Sequence, residues 1–210
     1  WLGDRRSLRT LACWEVNTML LGLPFVVTVH GISGIFDFRG GLALALPLYA
    51  DGSLEDKVFR FSWWKDAFAQ IALALWFLHQ HGAVHRDVKQ ENVLVDSTSG
   101  RVVLTDLGLL AVGCLPAGRP CATGVAGTPL YMPPELLTHG EPKLAYGCEV
   151  DWWSYATIIW TALGQDAQQL QTARTMGVKF KPRGQGPQSP KEASVDFVNA
   201  LTAVETRDVR

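Results

Sequence analysis

Two short stretches restrict what this chain can fold into more than anything else in it. Residues 84–95 read V-H-R-D-V-K-Q-E-N-V-L-V, and residues 104–108 read L-T-D-L-G. Between them, residues 93–95 and 101–104 alternate around Asp96-Ser97-Thr98-Ser99-Gly100, which predicts a β-hairpin with turn residues at its tip. Asp87, Lys89 and Asn92 then lie on the loop before the hairpin, and Asp106 on the loop after it. These oxygen-bearing side chains and one ammonium are expected to converge on one point. Such a set suits phosphoryl transfer from a Mg-bound nucleotide. One carboxylate orients the attacking hydroxyl, a second carboxylate and a neutral amide hold the metal, and a cation offsets charge on the moving group.

Order and spacing resemble the eukaryotic-type protein kinases, whose template is H-R-D-L-x-x-x-N followed by D-F-G. It stands here as His85-Arg86-Asp87-Val88-Lys89-Gln90-Glu91-Asn92 and Asp106-Leu107-Gly108, with Leu for Phe as an inward-packing substitute. Lys89, two residues after Asp87, resembles the serine/threonine branch. A third segment, Gly127-Thr128-Pro129-Leu130-Tyr131-Met132-Pro133-Pro134-Glu135, resembles the family's G-T-x-x-Y-x-A-P-E, with Pro133 replacing Ala. Residues 109–126 between these motifs carry little periodicity and would be the activation loop.

The rest of the chain follows that order. Residues 4–22 are expected to be helical, with Leu8, Leu11, Ala12, Val16, Met19 and Leu20 on one face. Residues 25–29 and 42–46 read as strands, the second after a turn at Gly40-Gly41. Residues 62–82 carry an apolar stripe of Ala67, Ile71, Ala74, Leu75 and Leu78, closed by Gly82, and predict a long helix. Residues 147–163 are almost wholly apolar after Asp151, which predicts a helix buried all round and resembles the family's central helix. Residues 164–190 depart from the family, and residues 182–190 read as a solvated Pro-rich loop. Residues 194–210 resemble a late helix ending in the family's Arg, here Arg210.

The resemblance implies an α+β, protein-kinase-like fold with a mainly helical large lobe and a partial small lobe. Residues 1–46 would form the small-lobe remnant, 47–52 the hinge and 53–210 the catalytic lobe. It implies ATP and Mg²⁺ as cofactors and proteins bearing Ser or Thr as substrates. Asp87 would orient the hydroxyl and accept its proton, Lys89 would steady the γ-phosphate, and Asn92 and Asp106 would hold Mg²⁺. Glu15 takes the position of the helix Glu that pairs with a nucleotide-binding Lys, the alternative being an ordinary solvated acid. Leu46 would guard the back of the adenine pocket. Pro47 would offer its carbonyl, and Tyr49 its N–H and carbonyl. Arg86 would await a phosphate on the activation loop, at Thr123, while Thr128 contacts Asp87 and Lys89 in the substrate floor. Asp151 would support the catalytic loop through its backbone N–H groups. Glu135 would pair with Arg210 in a largely buried ion pair.

Composition excludes other classes. Hydrophobic residues make up 48% and charged residues 19% of the 210, with net charge −1. That leaves no electrostatic footprint for nucleic acid or an anionic membrane. The longest apolar stretch, residues 41–50, is interrupted by Pro47 and too short to span a bilayer. Cys13, Cys114, Cys121 and Cys148 lack metal-ligand spacing and read as free thiols in a reducing, cytoplasmic setting, with a regulatory Cys114–Cys121 disulfide as the alternative. His79 and His81 read as helix-end residues, not metal ligands. No G-x-G-x-x-G and no A-x-K strand precede Glu15, so the chain is expected to be an excerpt, almost inactive by itself. Two functional readings follow: a serine/threonine kinase, or a pseudokinase that binds nucleotide or partners without transfer. Retention of Asp87, Lys89, Asn92 and Asp106 favours the first.

Overall fold

A computed structural model describes residues 22–26, 35–38, 41–44, 46–55, 61–115, 119–138 and 145–162. They belong to two compact units. One takes the chain up to Leu78 together with Glu91–Leu110, and the other takes His79–Gln90 and the chain from Ala111 onward.

In the first unit, β1 (Ile35–Phe38) and β2 (Gly41–Leu44) form an antiparallel hairpin in the register Ile35↔Leu44 to Phe38↔Gly41. The first of these strands was not expected. Its period-2 signal is only the four residues I-F-D-F, too brief to stand out beside the glycines around it. Gly41 was expected in the turn and is instead the first paired residue of β2. Of the strand expected over 25–29, only residues 25 and 26 are described. Phe25 lies in a left-handed conformation at φ 60°, and Val26 makes a single parallel bridge to Leu104. A bulky residue at positive φ is strained, and here a 2.8 Å bond from the Leu104 N–H to the Phe25 carbonyl holds it.

Helix α1 (Phe61–Gln80) matches the expected long helix. Its buried residues Trp64, Ala67, Ile71, Ala74, Leu75 and Leu78 recur at three- and four-residue steps. Gly82, at φ 68°, closes it with a bond from its N–H to the His79 carbonyl. From the middle of α1, Gln70 donates to the Gly100 carbonyl at 3.0 Å and accepts from the Val102 N–H at 2.9 Å. One side chain thereby pins the tip of the next hairpin. That hairpin is the expected one: β4 (Val93–Asp96) pairs antiparallel with β5 (Arg101–Leu104), and Val93, Val95, Val102, Val103 and Leu104 are buried. The segment after the proposed hinge lies along β4, with Leu54 N–H donating to the Val93 carbonyl and Val95 N–H to the Gly52 carbonyl.

In the second unit, β3 (Ala83–Val84) pairs antiparallel with β6 (Ala111–Val112). The second of these strands falls inside a stretch read as loop. Two residues are too few to show alternation in sequence, and the pairing comes from a distant partner. A short helix, α2 (Pro134–Thr138), is followed by α3 (Glu149–Ala162), in which Val150 to Trp160 are buried except Trp152, which is half-buried. A helix apolar on all sides needs protein on all sides. Its few hydroxyls turn inward: Ser154 donates to the Tyr131 carbonyl at 2.8 Å, and Thr157 to the Trp153 carbonyl at 3.1 Å. Residues 4–21 of the helix expected over 4–22, the helix expected over 194–210 and the Pro-rich loop over 182–190 lie outside the described residues.

Candidate active site

Asp87, Lys89 and Thr128 form a closed triangle in the second unit. Lys89 Nζ lies 2.8 Å from Asp87 Oδ2 and donates to Thr128 Oγ1 at 2.8 Å. Thr128 Oγ1 donates in turn to Asp87 Oδ1 at 2.7 Å. Burial pushes the Asp87 carboxyl up, but the Lys89 and Thr128 hydrogen bonds and the Lys89 and His85 charges outweigh it. The group sits below its ordinary 3.8. It is therefore ionised at neutral pH, as an acceptor for a hydroxyl proton must be.

Gly127 lets Thr128 come this close. Its φ is 112°, and an added Cβ would collide with the Arg86 carbonyl. Only glycine combines that dihedral with that approach.

Asp151 fixes the loop that carries Asp87. It is fully buried in the first turn of α3. Oδ2 accepts from the His85 N–H and from His79 Nε2, each at 2.8 Å, and Oδ1 accepts from the Arg86 N–H at 2.8 Å. Burial pushes this carboxyl up as well. The hydrogen bond and charge of His79, with help from His85, more than offset it, and the group lies below its ordinary range. A buried charge is tolerable only with such partners. Arg86 itself sits at φ 69°, a strained conformation for a long side chain, and the Asp151 bond to its N–H holds it there. The Asp87 N–H donates to His85 Nδ1 at 3.2 Å, closing the turn.

Asn92 and Asp106 belong to the first unit. They flank the open end of the β4–β5 hairpin, where the Thr105 N–H donates to the Asn92 carbonyl at 2.9 Å. Asn92 is buried, whereas Asp106 is exposed. Asp106 adopts a left-handed conformation, φ 62°, and Oδ1 accepts from the Gly108 N–H at 3.2 Å. A carboxylate and an amide brought to one hairpin end are hard oxygen donors, the type that Mg²⁺ takes. The proposed hinge is in the same unit. The Tyr49 carbonyl accepts from the Gly52 N–H at 3.0 Å, Pro47 and Tyr49 are half-buried, and Leu46 is exposed.

Residues 21–201 match the family model described as the protein kinase domain. The chain belongs to the protein kinase domain family. Its relatives lie in the serine/threonine branch. It is 32% identical over 174 residues to Citron rho-interacting kinase of Rattus norvegicus, which covers 79% of this chain and 8% of that protein. It is 35% identical over 158 residues to Serine/threonine-protein kinase Sgk3 of Rattus norvegicus, covering 71% of this chain and 29% of that protein. To Ribosomal protein S6 kinase alpha-4 of Homo sapiens it is 34% identical over 145 residues, 67% of this chain and 18% of that protein. The chain thus spans less than a third of the length of each of these relatives.

Two residues that contact the candidate site carry no clear signal in the sequence. Tyr146 accepts a 3.5 Å bond from Arg86 Nη1 and donates to the Gly124 carbonyl at 2.9 Å, next to the exposed Thr123. Nothing in its local sequence announces this, because both partners are distant in the chain. His79 was read only as a helix-end residue. It is one, and it is also the buried partner of Asp151. The spacing of a histidine at the end of one apolar helix and an aspartate at the start of another was the available signal. Glu135 lies in the first turn of α2 with an exposed side chain, while Glu15 and Arg210 lie outside the described residues.

The cysteines need a correction. Four free thiols were the first expectation, but Cys114 and Cys121 form a disulfide with their Cα atoms 4.9 Å apart. They are seven residues apart in sequence, and the pairing of β6 with β3 and of Ala122 with Tyr146 brings them together. No group of three or more metal-ligating side chains occurs among the described residues, and no described helix is long and apolar enough to cross a membrane.

Proposed function

We propose that this chain is the catalytic part of a protein serine/threonine kinase, transferring the γ-phosphate of ATP to Ser and Thr hydroxyls of protein substrates. The observation that carries the reading is the triangle of Asp87, Lys89 and Thr128. An ionised carboxylate held by a cation and a threonine hydroxyl is built to receive a proton, and a scaffold has no chemical need for it.

In this reading the Asp87 carboxylate takes up the substrate hydroxyl and accepts its proton as the new O–P bond forms. Lys89 steadies the transferred phosphoryl group while remaining paired with Asp87. Asn92 and Asp106 are the Mg²⁺ ligands, and the metal's chemical contribution is to neutralise phosphate charge. The Pro47 carbonyl and the Tyr49 N–H and carbonyl would take the adenine edge, with Leu46 behind it and Glu15 reserved for the nucleotide-binding Lys of the family. Residues 1–46, 47–52 and 53–210 remain the proposed small-lobe part, hinge and catalytic lobe. We place the protein in the cytoplasm and assign it neither nucleic acid nor membrane as partner. A phosphate on Thr123 would meet Arg86 across Tyr146.

Incubating the full-length protein with ATP, Mg²⁺ and a Ser/Thr/Tyr peptide library tests this reading. Phosphoserine and phosphothreonine are the expected products. Nucleotide binding without any phosphotransfer would favour a pseudokinase instead, and phosphotyrosine would overturn the branch assignment.

A further inference from the structure

The Cys114–Cys121 disulfide sits where it can govern the segment that carries Thr123. Cys114 is almost fully buried in an apolar cluster with Val84, Ala122, Leu136, Tyr146 and Val150, and the half-buried Cys121 and Cys148 pack at its edge. The Cys114 N–H is bonded to the Gly82 carbonyl at 3.0 Å. On the other side, the N–H groups of Cys121 and Ala122 both donate to the Tyr146 carbonyl, at 2.9 and 3.0 Å, and the Tyr146 N–H returns a 2.9 Å bond to Ala122. Tyr146 carries this link onward through its hydroxyl to Gly124 and Arg86. A covalent bond between Cys114 and Cys121 therefore anchors one end of a chain of contacts that runs through Tyr146 to the Arg86 guanidinium.

We propose that Cys114 and Cys121 are a reversible redox site, closed by peroxides and opened by dithiols, that holds the Ala122–Tyr146 pairing in the oxidised state and loosens it in the reduced state. The chemistry of the pair stands apart from the kinase reading; only the consequence for Arg86 and Thr123 rests on it. On oxidation, the Cys121 thiolate attacks a peroxide oxygen. The O–O bond breaks, and a sulfenic acid and one water result. Cys114 then attacks that sulfur, the S–S bond forms, and hydroxide leaves as a second water. Two thiols lose two electrons and the peroxide gains them. On reduction, a dithiol attacks the more accessible Cys121 sulfur and Cys114 leaves as thiolate, taking up a proton. The second thiol of the reductant then displaces Cys121 and closes its own disulfide. A closed loop this short removes chain freedom that an open one keeps.

Hydrogen exchange on the full-length protein, treated with hydrogen peroxide or with dithiothreitol, tests the proposal without relying on phosphotransfer. After peroxide, the peptide carrying both cysteines should be two hydrogens lighter and resist alkylation. After dithiothreitol it should take up two alkyl groups. The Cys121 and Ala122 amides should exchange about tenfold faster in the reduced state, a local opening and not a global one. Cys121→Ser should exchange at the faster rate under both treatments, and Cys148→Ala should keep the full response. Cys114 and Cys121 staying reduced in peroxide would overturn the proposal. So would a disulfide to Cys148, or equal exchange in the two states.

Discussion

Thr128 donates a 2.7 Å hydrogen bond to Asp87 across 41 residues of chain, and the same oxygen accepts from Lys89. The hydroxyl thus fixes both the acceptor carboxylate and the cation that the reaction would use. Thr128→Val keeps the shape and removes both bonds, so kcat should fall about 10²-fold, the typical cost of roughly 1 Å of misplacement. Thr128→Ser keeps the hydroxyl and should restore most of the rate. A steady-state comparison of the two variants checks this, and equal losses would show that packing matters instead of the hydroxyl.

Asp151 should make the domain acid-labile. Its folded-state carboxyl lies below the ordinary 3.8 because of His79 and His85, despite its burial, and Asp87 is lowered likewise. A lowered carboxyl contributes stability that is fully present above about pH 4 and lost as pH falls through the folded value. Asp151→Asn strands two backbone N–H groups and His79 with a weaker acceptor. It should cost about 3–5 kcal/mol near neutrality, as broken buried charge pairs do. Its stability should also respond less to pH below about 4. Denaturant melts over a pH series read both effects, and parallel pH profiles for the two proteins would contradict them.

Asp106 carries the metal part of the assignment. It is exposed at the end of the β4–β5 hairpin and held in place by the Gly108 N–H. Asp106→Ala should abolish the Mg²⁺-dependent part of ATP binding and leave Mg²⁺-free binding unchanged. Thermal shifts with ATP, with and without Mg²⁺, separate the two. A wild-type protein with equal shifts in both conditions would remove Asn92 and Asp106 as ligands.

How much of this was legible in the sequence depends on how local the signal is. The α1 stripe, the all-apolar α3 and the hairpin with Asp96–Gly100 at its tip each carry their pattern within one element, and the structure has all three. Thr128 was placed against Asp87 and Lys89 because the motif order is shared with a family, and the contacts are present. Strands β1 and β6 were missed because four and two residues hold too little periodicity to read. Tyr146 was missed because its role exists only once Arg86, Ala122 and Gly124 surround it. The cysteine pair was open for the same reason: spacing alone did not say that Ala122 would pair with Tyr146 and set Cys121 beside Cys114.

Lys89 and Thr128 hold the Asp87 carboxylate ionised, and its proposed partner is the substrate hydroxyl, not the nucleotide. The direct measurement is kcat and ATP affinity of the full-length Asp87→Asn variant against wild type. The prediction is a loss of kcat of about 10²–10⁴-fold, the usual contribution of a general base, with ATP affinity within about threefold of wild type. Wild-type turnover in the Asn variant would contradict the account.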